Sequence, residues 1–250
     1  MKKLLIDGDI PLYQSCLAAE DEIHWGDEIW TLETNLKTAK VIFNRKIKQY
    51  KELTGIDDHI IITSSRNNFR KQIVATDYKA NRKDQRKPMG YGVMKDWMKE
   101  NYEHDERDGL EADDLISWYA TEYPGEYTIV SLDKDFKTVP GHFFRISPIG
   151  KHTLHVITPD EARKFLFTQI LMGDATDGYY GIPGYGPAKA KKWLDKHGYT
   201  WDAVVKAYAE NGFDESHALM EARCAKLLDC ELYSDGQIRL WNPKEGLYGT

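Results

Sequence analysis

Hydrophobic positions in this chain fall into two alternating patterns: short unbroken apolar runs, and longer stretches with an apolar residue every three or four positions. Lys3 to Ile6, His59 to Thr63 and Tyr127 to Leu132 are of the first kind and predict strands buried on both faces. Phe143 to Ile146 and His155 to Ile157 predict two shorter strands. Between them, apolar residues at 36, 39, 43, 47, 50 and 53 keep helical spacing until Gly55 closes the segment. Glu111 to Asp114 opens another helix, with Leu115, Ile116 and Tyr119 as its inward stripe and Pro124-Gly125 as its stop. Thr158-Pro-Asp-Glu161 matches a capping box with proline at the first helical position, so a helix runs from there to about Met172. Trp201 to Ala209 and Ser216 to Leu228 are amphipathic helices parted by Asn211-Gly212, and Gln237 to Trp241 adds a last strand. Strands alternating with helices predict an α/β fold, a central mostly parallel sheet flanked by helices, with a helical C-terminal part.

The length of 250 residues suits one large domain, or a main domain with a smaller appendage, and 41% hydrophobic content gives it a core. Cys16, Cys224 and Cys230 are few and irregularly spaced, which supports neither a disulfide framework nor a zinc site and suits a reducing cytosol. Asp7 interrupts the N-terminal apolar run before a signal-peptide core forms, and no stretch has the length needed to span a membrane. The net charge of -6 argues at first against nucleic acid. Its distribution reverses that argument, because between Tyr78 and Pro88 the cations Lys79, Arg82, Lys83, Arg86 and Lys87 oppose only Asp84. Tyr78, Tyr91 and Trp97 add aromatic faces, a mixture suited to a single strand of nucleic acid as well as to a solvated surface helix.

The acids are pooled elsewhere. Glu111 and Asp114 share one helix face, and Asp113 joins them at a helix N-terminus. Asp133 and Asp135 follow directly on a strand, at the sheet edge where ligands bind in open α/β folds, and Asp7 follows the first strand in the same way. Each packet alone also reads as an ordinary acidic helix start or turn. Together they repel unless a cation shares the site, and hard oxygen donors without local His or Cys select Mg²⁺ or Mn²⁺ over zinc. Asp174 and Asp177 supply another pair, spaced so that both side chains can point one way. A Gly184-Tyr-Gly186 turn then opens a helix at Pro187, with Lys189, Lys191 and Lys192 in its first turns. With the preceding helix this reads as a helix-hairpin-helix, which holds a phosphate backbone through exposed amides.

This order of motifs resembles the flap endonuclease and 5′-nuclease superfamily, and most closely the 5′→3′ exonucleases of podophages. The likeness lies in Tyr78 to Lys83, Lys87-Pro-Met-Gly-Tyr91, Asp133-Lys-Asp-Phe-Lys-Thr-Val-Pro140, Gly173 to Gly178 and Ile238-Arg-Leu-Trp-Asn-Pro243. It implies a nuclease core over residues 1–172, with the basic segment 77–98 as an arch, and a helix-hairpin-helix DNA-binding region over 173–250. It further implies two Mg²⁺ or Mn²⁺ ions held by Asp7, Glu111, Asp113, Asp114, Asp133, Asp135, Asp174 and Asp177, with Asp133 and Asp135 as the shared catalytic core. Lys79 and Arg82 match the family's cations near the scissile phosphate. Tyr78, Lys83, Arg86, Lys87, Gly184, Gly186, Lys189, Lys191 and Lys192 are the expected DNA contacts, with a monovalent cation at the hairpin. The implied substrates are double-stranded DNA with 5′ ends and RNA in RNA/DNA hybrids, the products carry 5′-phosphates, and the implied location is the cytoplasm of a phage host.

One departure is plain: the family usually carries an aspartate just after the second strand, where this chain has Thr63-Ser64-Ser65. Three readings compete with the exonuclease. A structure-specific flap endonuclease shares every motif. A DNA-end-binding protein that has lost a metal accounts for the missing acid. A haloacid-dehalogenase-type phosphatase also sets Asp-x-Asp after a first strand, but Ile10-Pro11 follows Asp9 here and the basic segment is left without a role.

Overall fold

The computed structural model describes residues 2–82, 85–147 and 149–244. In chain order, β1 (Lys3–Asp7) leads into α1 (Asp9–Leu17), an antiparallel ribbon of β2 (Glu20–Gly26) and β3 (Ile29–Thr34), α2 (Leu36–Thr54) and β4 (His59–Ile62). A short α3 (Phe69–Ile73) precedes the basic segment, which runs into α4 (Tyr91–Asn101), and β5 (His104–Asp105) follows. Then come α5 (Ala112–Glu122), β6 (Tyr127–Ser131), β7 (Gly141–Arg145), β8 (Thr153–Ile157) and α6 (Pro159–Met172). The C-terminal part holds α7 (Pro187–His197), α8 (Trp201–Glu210), α9 (Glu215–Ala225) and a small ribbon of β9 (Tyr233–Ser234) and β10 (Gln237–Ile238).

Six strands form the central sheet in the order β5-β4-β1-β6-β7-β8, all neighbouring pairs parallel except β7 with β8. Alternation along β1 sends Leu4 and Ile6 to one side and Leu5 to the other. On the first side they meet Leu12, Phe43, Ile47, Met94 and Met98 from α1, α2 and α4. On the second, Leu5 joins a core that runs through Leu115, Ile116 and Phe167 without a break to Tyr208, Leu228 and Trp241. Each such side chain contributes about 1.5–3 kcal/mol on full burial, so the C-terminal helices are bound to the sheet by a shared interior.

Helix ends fall where local chemistry sets them. Asn35 caps α2 by accepting from the Thr38 amide, Gly55 ends it with φ 69°, and Thr158 with Glu161 forms the reciprocal capping box of α6. Two predicted ends shift. α9 stops at Ala225 and not at Leu228, because Lys226 is extended and its carbonyl and the Leu228 amide bond to buried side chains of other elements. The last strand shrinks to Gln237–Ile238.

The ribbon β2–β3 is absent from the sequence reading. Neither of its faces is buried along its length, so it lacks the apolar alternation of a half-buried strand; Trp25, Ile29 and Trp30 are 66%, 58% and 59% exposed. Within the basic segment, Ala80–Arg82 makes a 3-10 turn, and α4 turns Met94 and Met98 into the core. Trp97 packs edge-on against Phe43 and Tyr102, and Tyr91 hydrogen-bonds Asp9, so these rings belong to the packing. Among the described residues no helix is long and apolar enough to cross a membrane.

Candidate active site

Parallel pairing of β4, β1 and β6 aligns their carboxyl ends, and the acids collect along that edge. Asp7 ends β1, and Ser131, the last residue of β6, donates to its Oδ2 at 2.8 Å while accepting from the Asp133 amide at 3.0 Å. Asp133 then caps a 3-10 turn over Lys134–Thr138 by accepting from the Asp135 amide at 2.9 Å. One hydroxyl thus ties the acid of β1 to those that follow β6. Glu111 stands at the N-cap of α5, and carboxylate oxygens of Glu111, Asp113 and Asp114 lie within 4.8 Å of one another.

Crowding shows in the protonation equilibria. Burial, then Asp9 and Asp133, push Asp7 up to about 7; burial and Asp133 push Asp135 to about 7. Asp113 is raised well above the carboxylate range by burial, Glu111 and Asp114, and Asp133 is raised by burial with Asp177 adding to it. Glu111 and Asp174 go the other way: burial would raise both, but Lys79 with Arg70, and Lys134 with the Thr176 amide, outweigh it. Raised acids sharing one edge are unfavourable when ionised and call for positive charge. Asp135 Oδ1 is buried with no hydrogen-bond partner. That orphaned oxygen and an all-oxygen donor set fit a hard divalent cation.

The cations of the basic segment enter this pool directly. Lys79 is only 9% exposed; its backbone, at φ 54°, donates to the Asp177 carbonyl at 2.8 Å, and its ammonium lies 2.7 Å from Glu111 Oε1 and 3.4 Å from Asp177 Oδ2. Burial would lower its pKa, but Glu111, Asp113 and Asp177 raise it overall, so it stays charged. Arg82 donates to Asp177 Oδ1 at 2.5 Å, and Lys134 to Asp174 Oδ2 at 2.8 Å. Asp174 and Asp177 therefore answer different cations.

Four expectations need correction or refinement. Tyr78 is 2% exposed, with Arg70 on one ring contact and Lys79 on another, and cannot stack on a base. Asp114 is fully buried, and Arg70 donates to both of its oxygens at 2.6 and 2.7 Å while the Leu228 amide adds a third bond at 3.0 Å. Its oxygens are thereby committed to the protein, and it braces the site from behind. Arg86 is paired with Glu20, and Lys87 lies over the Tyr91 ring at 4.8 Å. Lys83 lies outside the described residues.

Sequence reasoning missed Arg70, which also reaches Glu111 at 3.3 Å and the Lys226 carbonyl at 2.8 Å. The available signal was the adjacency of Asp113 and Asp114: neighbours on a helix point apart, and an inward acid needs a buried cation. The Thr63 to Ser65 segment, which lacks the family's acid, has work of its own. Ser64 Oγ accepts the Ala112 amide at the start of α5, the Ser64 amide donates to Asp9, and the Thr63 hydroxyl donates to Glu106.

Downstream, Gly173 ends α6 with φ 71°, and a Cβ there would lie 2.2 Å from the Tyr180 carbonyl carbon, so only glycine lets the two backbones close the 173–181 loop. Glu221 of α9 pins that loop by accepting the Gly181 amide at 2.7 Å. Gly184 and Gly186 border open space before α7. Lys192 is exposed; Lys189 sits over the Tyr185 ring at 4.0 Å, and Lys191 pairs with Asp195 at 2.7 Å. Gly184 has φ 77°, whereas Gly186 has the extended φ of -79°. Gly184→Val therefore strains the turn and lowers both the thermal midpoint and duplex affinity, while Gly186→Val weakens duplex binding alone. Calorimetry and DNA titration check this, and a Gly186→Val variant with normal affinity at every DNA sequence rules the hairpin out as a backbone grip.

No family model matches the chain. The exodeoxyribonuclease of Enterobacteria phage T3 is 30% identical over a 287-residue alignment covering 96% of this chain and 93% of that one. The exonuclease of Escherichia phage T7 is 29% identical, with the same coverage of 96% and 93%. A solved complex of the phage T5 D15 flap endonuclease with DNA and metal ions superposes with a TM-score of 0.66 at 14% identity, over 91% of this chain and 89% of that one. The two chains thus share a fold, and the phage relatives put this protein in a class, the nucleases. Within it, the chain belongs to the family of phage exonucleases represented by those of T3 and T7.

Proposed function

We propose that the protein is a divalent-metal-dependent exonuclease that removes nucleotides from the 5′ ends of duplex DNA, and of RNA in hybrids, leaving 5′-phosphates. The observation that carries this is the meeting of Asp7, Glu111, Asp113, Asp133, Asp135 and Asp177 with Lys79 at one sheet edge. Asp133 and Asp135 would hold two Mg²⁺ or Mn²⁺ ions in common, with Glu111 and Asp113 on one side, Asp174 and Asp177 on the other, and Asp7 supporting from β1. Bound there, such ions would activate a water and relieve charge on the phosphate and the departing 3′ oxygen. Lys79 and Arg82 bring fixed positive charge to the same place, where a phosphate gaining negative charge is stabilised without reorganisation. Residues 1–172 act as the hydrolytic core, and residues 173–250, through the glycine turn and α7, grip the duplex backbone; a monovalent cation at the turn would reinforce that grip. The family relationship supports a site of action in the host cytoplasm.

The test is metal-dependent release from duplexes labelled at either end. Mononucleotides from the 5′ label in Mg²⁺, and none in EDTA, are expected. Release from the 3′ label first overturns the polarity, retardation without degradation establishes a binding protein, and preference for flapped over blunt ends establishes the flap-endonuclease reading favoured by the T5 likeness. Lys79→Ala separates catalysis from attraction. Single-turnover cleavage at saturating enzyme falls on the order of 10²-fold, as when one preorganised donor is removed. Lys87→Ala instead raises the dissociation constant and flattens its salt dependence. Full rescue of Lys79→Ala by excess enzyme would reduce Lys79 to a phosphate anchor.

A further inference from the structure

Glu20 opens β2 among other surface acids, yet its side chain is only 6% exposed. Arg86 donates to both of its oxygens, at 2.7 and 2.9 Å, and the Met89 amide donates to Oε1 at 2.5 Å. From the last residue of β3, the Thr34 hydroxyl donates to the Met89 carbonyl at 2.7 Å. Gly90 packs so closely that a Cβ there would lie 3.0 Å from Leu36 and 3.1 Å from Thr34. Both strands of the ribbon, at its base, therefore grip residues 86–90. The other end of this strap, the stretch of the basic segment from Asn81 to Gly90, is fixed at the acidic edge, where Arg82 holds Asp177 and Asn81 donates to the carbonyls of Ala175 and Thr176. Just beyond the gripped residues, the Tyr91 hydroxyl donates to Asp9 Oδ1 at 3.0 Å, two positions from Asp7.

We infer that Glu20 is a positioning residue of the nuclease: it fixes the returning end of the basic strap over the acidic edge and withholds Arg86 from the phosphates of DNA. The inference rests on the nuclease reading. Arg86 itself is 56% exposed, and a pair screened to that degree adds little to stability. Three donors converging on one shielded carboxylate do, however, select a single placement of residues 86–90. The consequence belongs to rate and not to melting. Freed from Glu20, Arg86 would become one more cation for DNA, so loss of the clasp slows hydrolysis without weakening binding.

Glu20→Gln keeps an acceptor for the Met89 amide but sets an amide against Arg86. Expected are a thermal midpoint within a few degrees of the parent, single-turnover cleavage at saturating enzyme reduced on the order of 10-fold, and undiminished duplex affinity. The slope of log affinity against log salt steepens by about 0.9, the value of one further phosphate contact. Arg86→Gln slows cleavage to the same degree with no change of slope. Limited trypsin digestion without DNA supplies a readout independent of nuclease activity: cleavage after Arg82 or Arg86 accelerates in Glu20→Gln. If the parent fails to degrade DNA while the digestion result stands, the functional reading fails and the clasp survives. If Arg86→Gln weakens binding and flattens the slope while its saturated rate stays normal, Arg86 is a DNA anchor and the inference is overturned. Unchanged digestion and an unchanged rate in Glu20→Gln overturn it as well.

Discussion

Asparagine at position 133 lowers turnover on the order of 10³-fold or more while the thermal midpoint stays level or rises. Asp133 sits at the centre of the acid pool, tied through Ser131 to Asp7 and through its own cap to Asp135. Asparagine caps a turn as well as aspartate does, so the local backbone is kept. The sign of the stability change follows from linkage. Burial and Asp177 raise the folded-state pKa of Asp133 above its unfolded value. The group therefore favours the folded state below the unfolded pKa and loses that contribution as pH rises through the folded one; at neutral pH an uncharged replacement removes a penalty. Steady-state rates in Mg²⁺, titration calorimetry with Mn²⁺ and scanning calorimetry test the three parts separately. Near-normal cleavage by Asp133→Asn removes the residue from the catalytic core.

Asp114→Ala does the opposite, costing stability above all. Arg70 is fully buried and loses its bidentate partner, and breaking a buried pair costs about 3–5 kcal/mol because one charge is left without compensation. For a chain of this size that corresponds to a fall of roughly 10 °C in melting temperature. Asp113→Asn, one residue away, removes a carboxyl whose pKa is raised by burial and by its acidic neighbours, so it lowers metal affinity and leaves the melt intact. Equal melting temperatures for the two variants would show that Asp114 faces the acid pool as Asp113 does.

The contrast between these neighbours marks what the sequence makes legible. Unbroken apolar runs announce β1, β4 and β6, since a strand covered on both faces has no polar positions. Once the strands are parallel, the acids that follow them must share an edge, and the convergence of Asp7 with Asp133 and Asp135 is readable without coordinates. Partner choice is different. Arg70 with Asp114, Glu20 with Arg86, and Ser64 with the Ala112 amide join positions far apart in the chain, and local periodicity carries no information about them. Tyr78 shows the same limit, for an aromatic ring beside lysines reads as a stacking surface until packing encloses it. The ribbon β2–β3 escaped notice because periodicity detects burial, and this element has little of it.

The bonds that Arg70 and Asp114 make to the Lys226 carbonyl and the Leu228 amide have a consequence for synthesis on the ribosome. A nascent chain acquires the seven acids of the pool once Asp177 has been added, well before the segment that completes the Arg70–Asp114 pair. Until residue 228 emerges, that pair lacks its last two backbone partners, and Glu111, held by the same guanidinium, is less firmly placed. Full support of the Arg70–Asp114 pair behind the acidic edge is thus gained only after residue 228 has left the ribosome.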